Sequence, residues 1–191
     1  ITHLTNQHRM AVLEEMHPHA QFVPNKFSDT MWFDFNDRRC IPSVDHCNQT
    51  YVVNEFGTPA NFDWQDERVV TPVRDHGSCW AESAVAAVES AWALRTGNLY
   101  NLSVQEVVDC DSSSSGCGYP MNAFSYIHSH GIALERSYTG RPERCRAAPA
   151  SPVSLVTGLA IACNEELIRH LLFELGPISV GVNAEHLQFY S

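Results

Sequence analysis

Cys79 is the side chain whose setting most suggests chemistry. It opens the strongest helical pattern in the chain, Cys79 to Thr96, with Ser78 in the capping position before it. A helix leaves its first N–H groups without internal acceptors, and its N-terminus is the positive end of the macrodipole. A thiol there is biased toward the thiolate, the nucleophilic form. The Cys79 N–H also points where an oxyanion would sit. A cysteine at a helix start is nevertheless more often structural, so position alone does not make a nucleophile. Glu82, one turn on, shares that face of the helix. Its carboxylate opposes a second negative charge at the sulfur, although Glu is also a favourable first-turn residue in any helix.

The elements that must hold Cys79 follow from apolar spacing and punctuation. Trp80, Ala84, Ala87, Val88, Ala91 and Trp92 recur at helical intervals, a wide stripe that predicts a deeply buried helix ending at Gly97. Before it, Val69 to Val73 is a β-branched run feeding the turn-like Asp75-His76-Gly77-Ser78. After it, Ser103 and Glu106 form a capping box for a second helix that continues toward Cys110. The Ser-rich stretch from Asp111 to Gly116 is a loop. A third helix is expected from about Met121 to His130, and a fourth from Asn164 to Leu175, stopped by Gly176-Pro177. Ile178 to Val182 reads as a buried-type strand. Residues 1–57 differ in character: they hold five of the ten His, and prolines at 18, 24 and 42 interrupt any long helix.

Several of these segments, in this order and spacing, resemble the papain family of cysteine proteases. They are Asn61-Phe62-Asp63-Trp64, Val70-Thr71-Pro72-Val73, Cys79-Trp80-Ala81, Ser83 to Ser90, Leu102 to Cys110, Gly116 to Pro120 and Gly176 to Val180. Asn25-Lys26-Phe27-Ser28-Asp29 resembles an element of that family's inhibitory propeptide, and details such as Val88-Glu89-Ser90-Ala91 resemble cathepsin O-like members. The resemblance implies an α+β fold: a helical left domain carrying the cysteine, and the start of a truncated β-barrel-like right domain. A propeptide would precede them over residues 1–57, with the peptidase domain over 58–191. It implies peptide-bond hydrolysis with Cys79 as nucleophile, peptide or protein substrates, the propeptide as inhibitor, and a lysosomal or secreted location. Gly118, Tyr119, Pro120 and Gly181 match substrate-binding positions; Gly181 would leave a pocket open to bulky apolar side chains. Cys110 and Cys145 match a family disulfide.

The departures from the family pattern bear on activity. The family loop reads roughly Gln-Gly-Ser-Cys-Gly-Ser-Cys-Trp, whereas here it is His76-Gly77-Ser78-Cys79-Trp80, shorter by three residues, one of them a cysteine. His76 takes the place of the oxyanion-donating Gln if the gap follows Ser78. Cys117 matches the partner of the missing cysteine, so Cys79 is either a free nucleophile or is bonded to Cys117 and inert. The Gly116-Cys117-Gly118 run shortens the substrate loop. The family's His and Asn follow the Gly-Pro strand; His186 is the late candidate here and comes before that position. The expectation is therefore a chain with negligible turnover, an unpaired strand edge and marginal stability, or else a non-catalytic homologue that binds or inhibits.

Composition narrows the classes further. The net charge is −10, from 12 basic and 22 acidic residues, with no clustered Lys and Arg to meet phosphates, which argues against nucleic acid. The acidity serves either solubility or an acidic compartment. No stretch approaches about 18 uncharged apolar residues, so no membrane span is expected. Residue 1 is Ile, and any signal peptide is expected upstream of it. Seven cysteines and the sequons at Asn48 and Asn101 fit a secreted or vesicular protein. Cys40 and Cys47 bond to each other or leave one free, and Cys163 reads as a small buried hydrophobe. The pairs His17/His19 and His128/His130, and Cys47 beside His46, fit no zinc spacing, so neither metal nor cofactor is expected.

Overall fold

A computed structural model of the 191-residue chain describes residues 2–25, 28, 57–74, 77–113, 118–139, 145, 146, 153, 165–182 and 187–190. The chain divides into two compact units, one formed by residues 1–42 with 181–191 and the other by residues 43–180.

In the first unit, helix α1 (Thr2–Met16) ends just before Pro18, where a proline disfavours helix in the residue preceding it. Asn6, Met10 and Leu13 are buried along one face of it. Met10 and Leu13 pack with Phe22 and the fully buried Phe189. Phe22 and Tyr190 form an antiparallel bridge, Val23 N–H donates to Phe189 O at 2.9 Å, and Asn25 Nδ2 donates to Gln188 O at 2.9 Å. Ser28 is held from both sides: its carbonyl accepts from Asn6 Nδ2 at 2.7 Å and its Oγ from Asn25 N–H at 2.7 Å. The sequence reading found no helix before residue 57. The apolar positions of α1 are few, so the helix leaves a faint pattern in the sequence.

In the second unit, α2 (Cys79–Thr96) is the central element, packed by α3 (Val104–Cys110) and α4 (Pro120–His130); α5 (Glu165–Leu175) follows. The core joins Trp80, Ala84, Val85 and Val88 of α2 to Val104 and Val107 of α3, Ala123 and Ile127 of α4, and the flanking Leu102 and Ile132. Burying each Val or Ile contributes about 1.5–3 kcal/mol relative to exposure. The buried face differs from the expected stripe: Glu89, Ser90 and Ala93 are buried, whereas Ala91 is exposed. An ion pair at Glu89, invisible to apolar spacing, draws that side of the helix inward.

Helix ends follow local chemistry with two exceptions. Gly97 takes φ 73° and donates its N–H to Ala93 O, and Ser103 Oγ accepts from Glu106 N–H at 3.2 Å. Ser78, expected as a cap, makes no side-chain capping bond; it uses its carbonyl to accept Glu82 N–H at 2.9 Å. The reciprocal half of the capping box is also replaced. Ser103 N–H goes to Ala133 O, which frees Glu106 to accept from Ala133 N–H at 2.7 Å and Tyr126 OH at 3.2 Å. The strand expected over Ile178 to Val182 carries no ladder among the described residues, where β pairing is limited to three isolated bridges. Val180 and Val182 are exposed. An apolar run becomes a strand only where another strand accepts its hydrogen bonds.

Candidate active site

Cys79 is the first residue of α2, exposed, with a free thiol. Pairing with Cys117 does not occur in this structure; Cys117 itself lies outside the described residues, as do His76, His186, Cys40, Cys47, Asn48 and Cys163. Gly77 enters the helix with φ 76°, a left-handed conformation that a side chain would strain. The Cys79 N–H is one of the first-turn donors for which a helix offers no internal acceptor.

The carboxylate one turn away is not a bare charge. Glu82 Oε1 accepts from Arg74 Nε at 2.9 Å, and the Arg74 terminal nitrogens reach Glu89 at 2.9 and 3.0 Å. Glu89 also accepts from Leu102 N–H at 2.7 Å and Thr71 Oγ1 at 2.6 Å. Burial works against the charge on Arg74, but Glu89 and then Glu82 outweigh it and hold the guanidinium above its ordinary value. Arg74 thus ties the segment before the nucleophile to α2. Sequence reasoning missed this residue; an Arg five positions before the Cys carries no signal without its partners in space.

Trp80 is buried beside the nucleophile, and Gly118 passes against its indole so closely that an added Cβ would overlap the ring, 2.6 Å from Cε3. Tyr119 is exposed at the start of α4, and Pro120 is the first residue of that helix, where its missing N–H is not needed. Gly118, Tyr119 and Pro120 therefore belong to the same unit as Cys79. Gly181 belongs to the other unit and is exposed, with nothing within 4 Å of a built Cβ. Ser83 on α2 and Ser179 after Gly176-Pro177 share a hydrogen bond of 2.7 Å. Phe62 packs edge-on against Trp64 and Phe173, at 4.7 and 5.1 Å between ring centres, while Trp64 Nε1 donates to Leu172 O at 2.7 Å.

Cys110 and Cys145 are joined by a disulfide, with their Cα atoms 4.6 Å apart. Tyr138 OH lies over it, donating to Asp109 Oδ2 at 3.0 Å and sitting 3.7 Å from Cys110 Sγ. The sequon residue Asn101 is exposed, yet Leu102 and Ser103 are buried, Ser103 as the α3 cap. A concavity lined by Ala60, Asn61, Phe62, Asp63 and Asp66 contains none of the candidate residues. Among the described residues no helix is long and apolar enough to cross a membrane.

A free thiol at the head of a central helix, a glycine laid on the following Trp and a disulfide behind the next helix together define a class. Residues 58–191 match the papain family cysteine protease profile, and the chain belongs to that family, hydrolases by class. It is 40% identical to cathepsin K of Gallus gallus over 141 residues, which cover 64% of this chain and 40% of that protein. It is 34% identical to cysteine proteinase 15A of Pisum sativum over 198 residues, covering 91% of this chain and 54% of the relative. The chain spans about half the length of these curated relatives. Among solved structures it resembles digestive procathepsin L 3 of Tenebrio molitor larval midgut, with a TM-score of 0.77 at 27% identity, covering 100% of this chain and 67% of that one. It also resembles the proform of the ragweed pollen allergen Amb a 11, with a TM-score of 0.76 at 29% identity, covering 100% and 64%. The fold is the papain-like α+β fold.

Proposed function

We propose that the protein is a cysteine-type endopeptidase made as a zymogen, with Cys79 as its nucleophile. The observation that carries this is the free, exposed thiol at the first residue of α2. The thiolate attacks the scissile carbonyl carbon, the oxygen takes the negative charge, and the Cys79 N–H stabilises it, with His76 proposed as a second donor. Collapse of that intermediate expels the amine, which leaves with a proton from an imidazolium. Water then releases the acyl group as a carboxylate and regenerates the thiol. Gly118, Tyr119, Pro120 and Gly181 are the proposed substrate-binding residues, with Gly181 favouring bulky apolar side chains. In this family the base is a His that, with its orienting Asn, follows the Gly-Pro-Ile-Ser-Val type of segment.

Residues 1–57 are the proposed propeptide and 58–191 the peptidase domain. The support is that residues 22–25 bind the segment Gln188 to Tyr190, and that the structural neighbours include a procathepsin and a proform. The Cys110–Cys145 disulfide favours an oxidising compartment, lysosomal or secreted, with glycans at Asn48 and Asn101. Peptide or protein substrates and the protein's own propeptide are the proposed partners.

The test is labelling with an epoxysuccinyl peptide probe, followed by mapping of the modified residue. Modification of Cys79 at neutral pH is expected. A free Cys79 thiol that does not react overturns the enzymatic reading and leaves a non-catalytic homologue that binds or inhibits.

A further inference from the structure

Arg74 lies five positions before the nucleophile, and one network fastens it to the helix that Cys79 opens. Residues 75–78 lie between the two in sequence. Glu82 and Glu89 are two turns apart on one face of α2. Their roles in the network are unequal. Glu89 is satisfied by Leu102 N–H, Thr71 Oγ1 and the Arg74 terminal nitrogens. Glu82 receives only Arg74 Nε, at 2.9 Å, and its Oε2 is buried with no hydrogen-bond partner. The Nε–Glu82 bond is therefore not required to hold Glu89. One guanidinium serves two carboxylates, and a carboxylate oxygen left unpaired out of solvent is unfavourable for folding.

We infer that Glu82 is a positioning residue for Cys79, acting through Arg74: their ion pair fastens Arg74 to α2 and keeps the cysteine at the first turn of the helix. The inference rests on Cys79 being the nucleophile. It also gives the shortened loop before the cysteine a physical anchor, set on the helix it feeds.

Two variants decide it, because they change the charge equally and differ in hydrogen bonding. Glu82→Gln keeps an acceptor for Arg74 Nε, and Glu82→Ala does not; both keep the Arg74–Glu89 fork. The readout is the rate of iodoacetamide alkylation at pH 7, followed on the tryptic peptide 75–95, whose single cysteine is Cys79. Unfolding midpoints are measured on the same samples. Glu82→Ala is expected to react about 2- to 5-fold more slowly than the wild type, the size of a first-turn dipole effect. Glu82→Gln is expected at or above the wild-type rate, at an unfolding midpoint close to that of the Ala variant. Equal rates in the two variants overturn the inference, since the Nε bond then does nothing for the cysteine. If wild-type Cys79 reacts no faster than a cysteine in an unfolded peptide, the nucleophile reading falls, while the Ala–Gln comparison still decides the positioning role.

Discussion

The Glu89 carboxylate, wholly out of solvent, meets the Arg74 guanidinium with two hydrogen bonds, at 2.9 and 3.0 Å. Leu102 N–H, at the entrance to α3, points at the same carboxylate. Removing one partner of a buried ion pair leaves the other without compensation, which costs about 3–5 kcal/mol. Glu89→Ala is therefore expected to lower the urea unfolding free energy by about that amount. A loss below about 1 kcal/mol, the value of an exposed pair, would show that the network does not hold α2 to its neighbours.

Apolar spacing and helix punctuation located α2, α3, α4 and α5 to within a residue or so, because glycine caps, Ser103 and Pro177 act within one turn. Spacing failed where a polar group decides the packing. Glu89 and Ser90 face inward because Arg74 and the close helix partners require it, and neither is apolar. The strand expected at Ile178 to Val182 failed for a different reason, since a ladder is a property of two segments and only one was in view. Cys79 was identifiable as a candidate from its helix start. Its free thiol, and the ion pair one turn on, depend on distances that no linear pattern records.

Gly118 admits no side chain. A Cβ there would overlap the Trp80 ring, and Trp80 is buried against the α2 core. Gly118→Ala must displace the indole, so it is expected to cost about 1–3 kcal/mol, the usual penalty for overpacking. Because Trp80 follows Cys79 directly, the same variant is expected to slow epoxide labelling of Cys79. Trp emission and labelling rate measured together check this, and an unchanged spectrum would mean that the chain moves at Gly118 instead.

Glu106 supplies the pH dependence. Burial raises its carboxyl above the ordinary glutamate range, an effect partly offset by Ala133 N–H, Tyr126 OH and the neighbouring His130. The native state then holds a proton that the unfolded chain has already lost. Stability must fall as pH rises from the ordinary glutamate value through the raised native one. Unfolding free energies measured across that window are expected to decline in the wild type. In Glu106→Gln, which has nothing to ionise, the decline contributed by this group disappears. A decline of the same steepness in the variant assigns the slope to other groups.

Phe189 carries the last prediction. It is fully buried against Met10, Leu13 and Phe22, and no other described side chain of that cluster is completely out of solvent. Truncating a buried Phe to Ala costs about 3–5 kcal/mol. Phe189 packs within the unit that holds α1, so the effect is expected to concentrate there and leave the α2 core intact. Amide exchange in α1 and at Val23, whose N–H donates to Phe189 O, is expected to accelerate by a factor on the order of 100 or more in Phe189→Ala. Exchange in α2 is expected to stay as it was. Equal acceleration in both helices would mean that the two units unfold as one, and α1 would then not be separately releasable, as a detachable inhibitory segment must be.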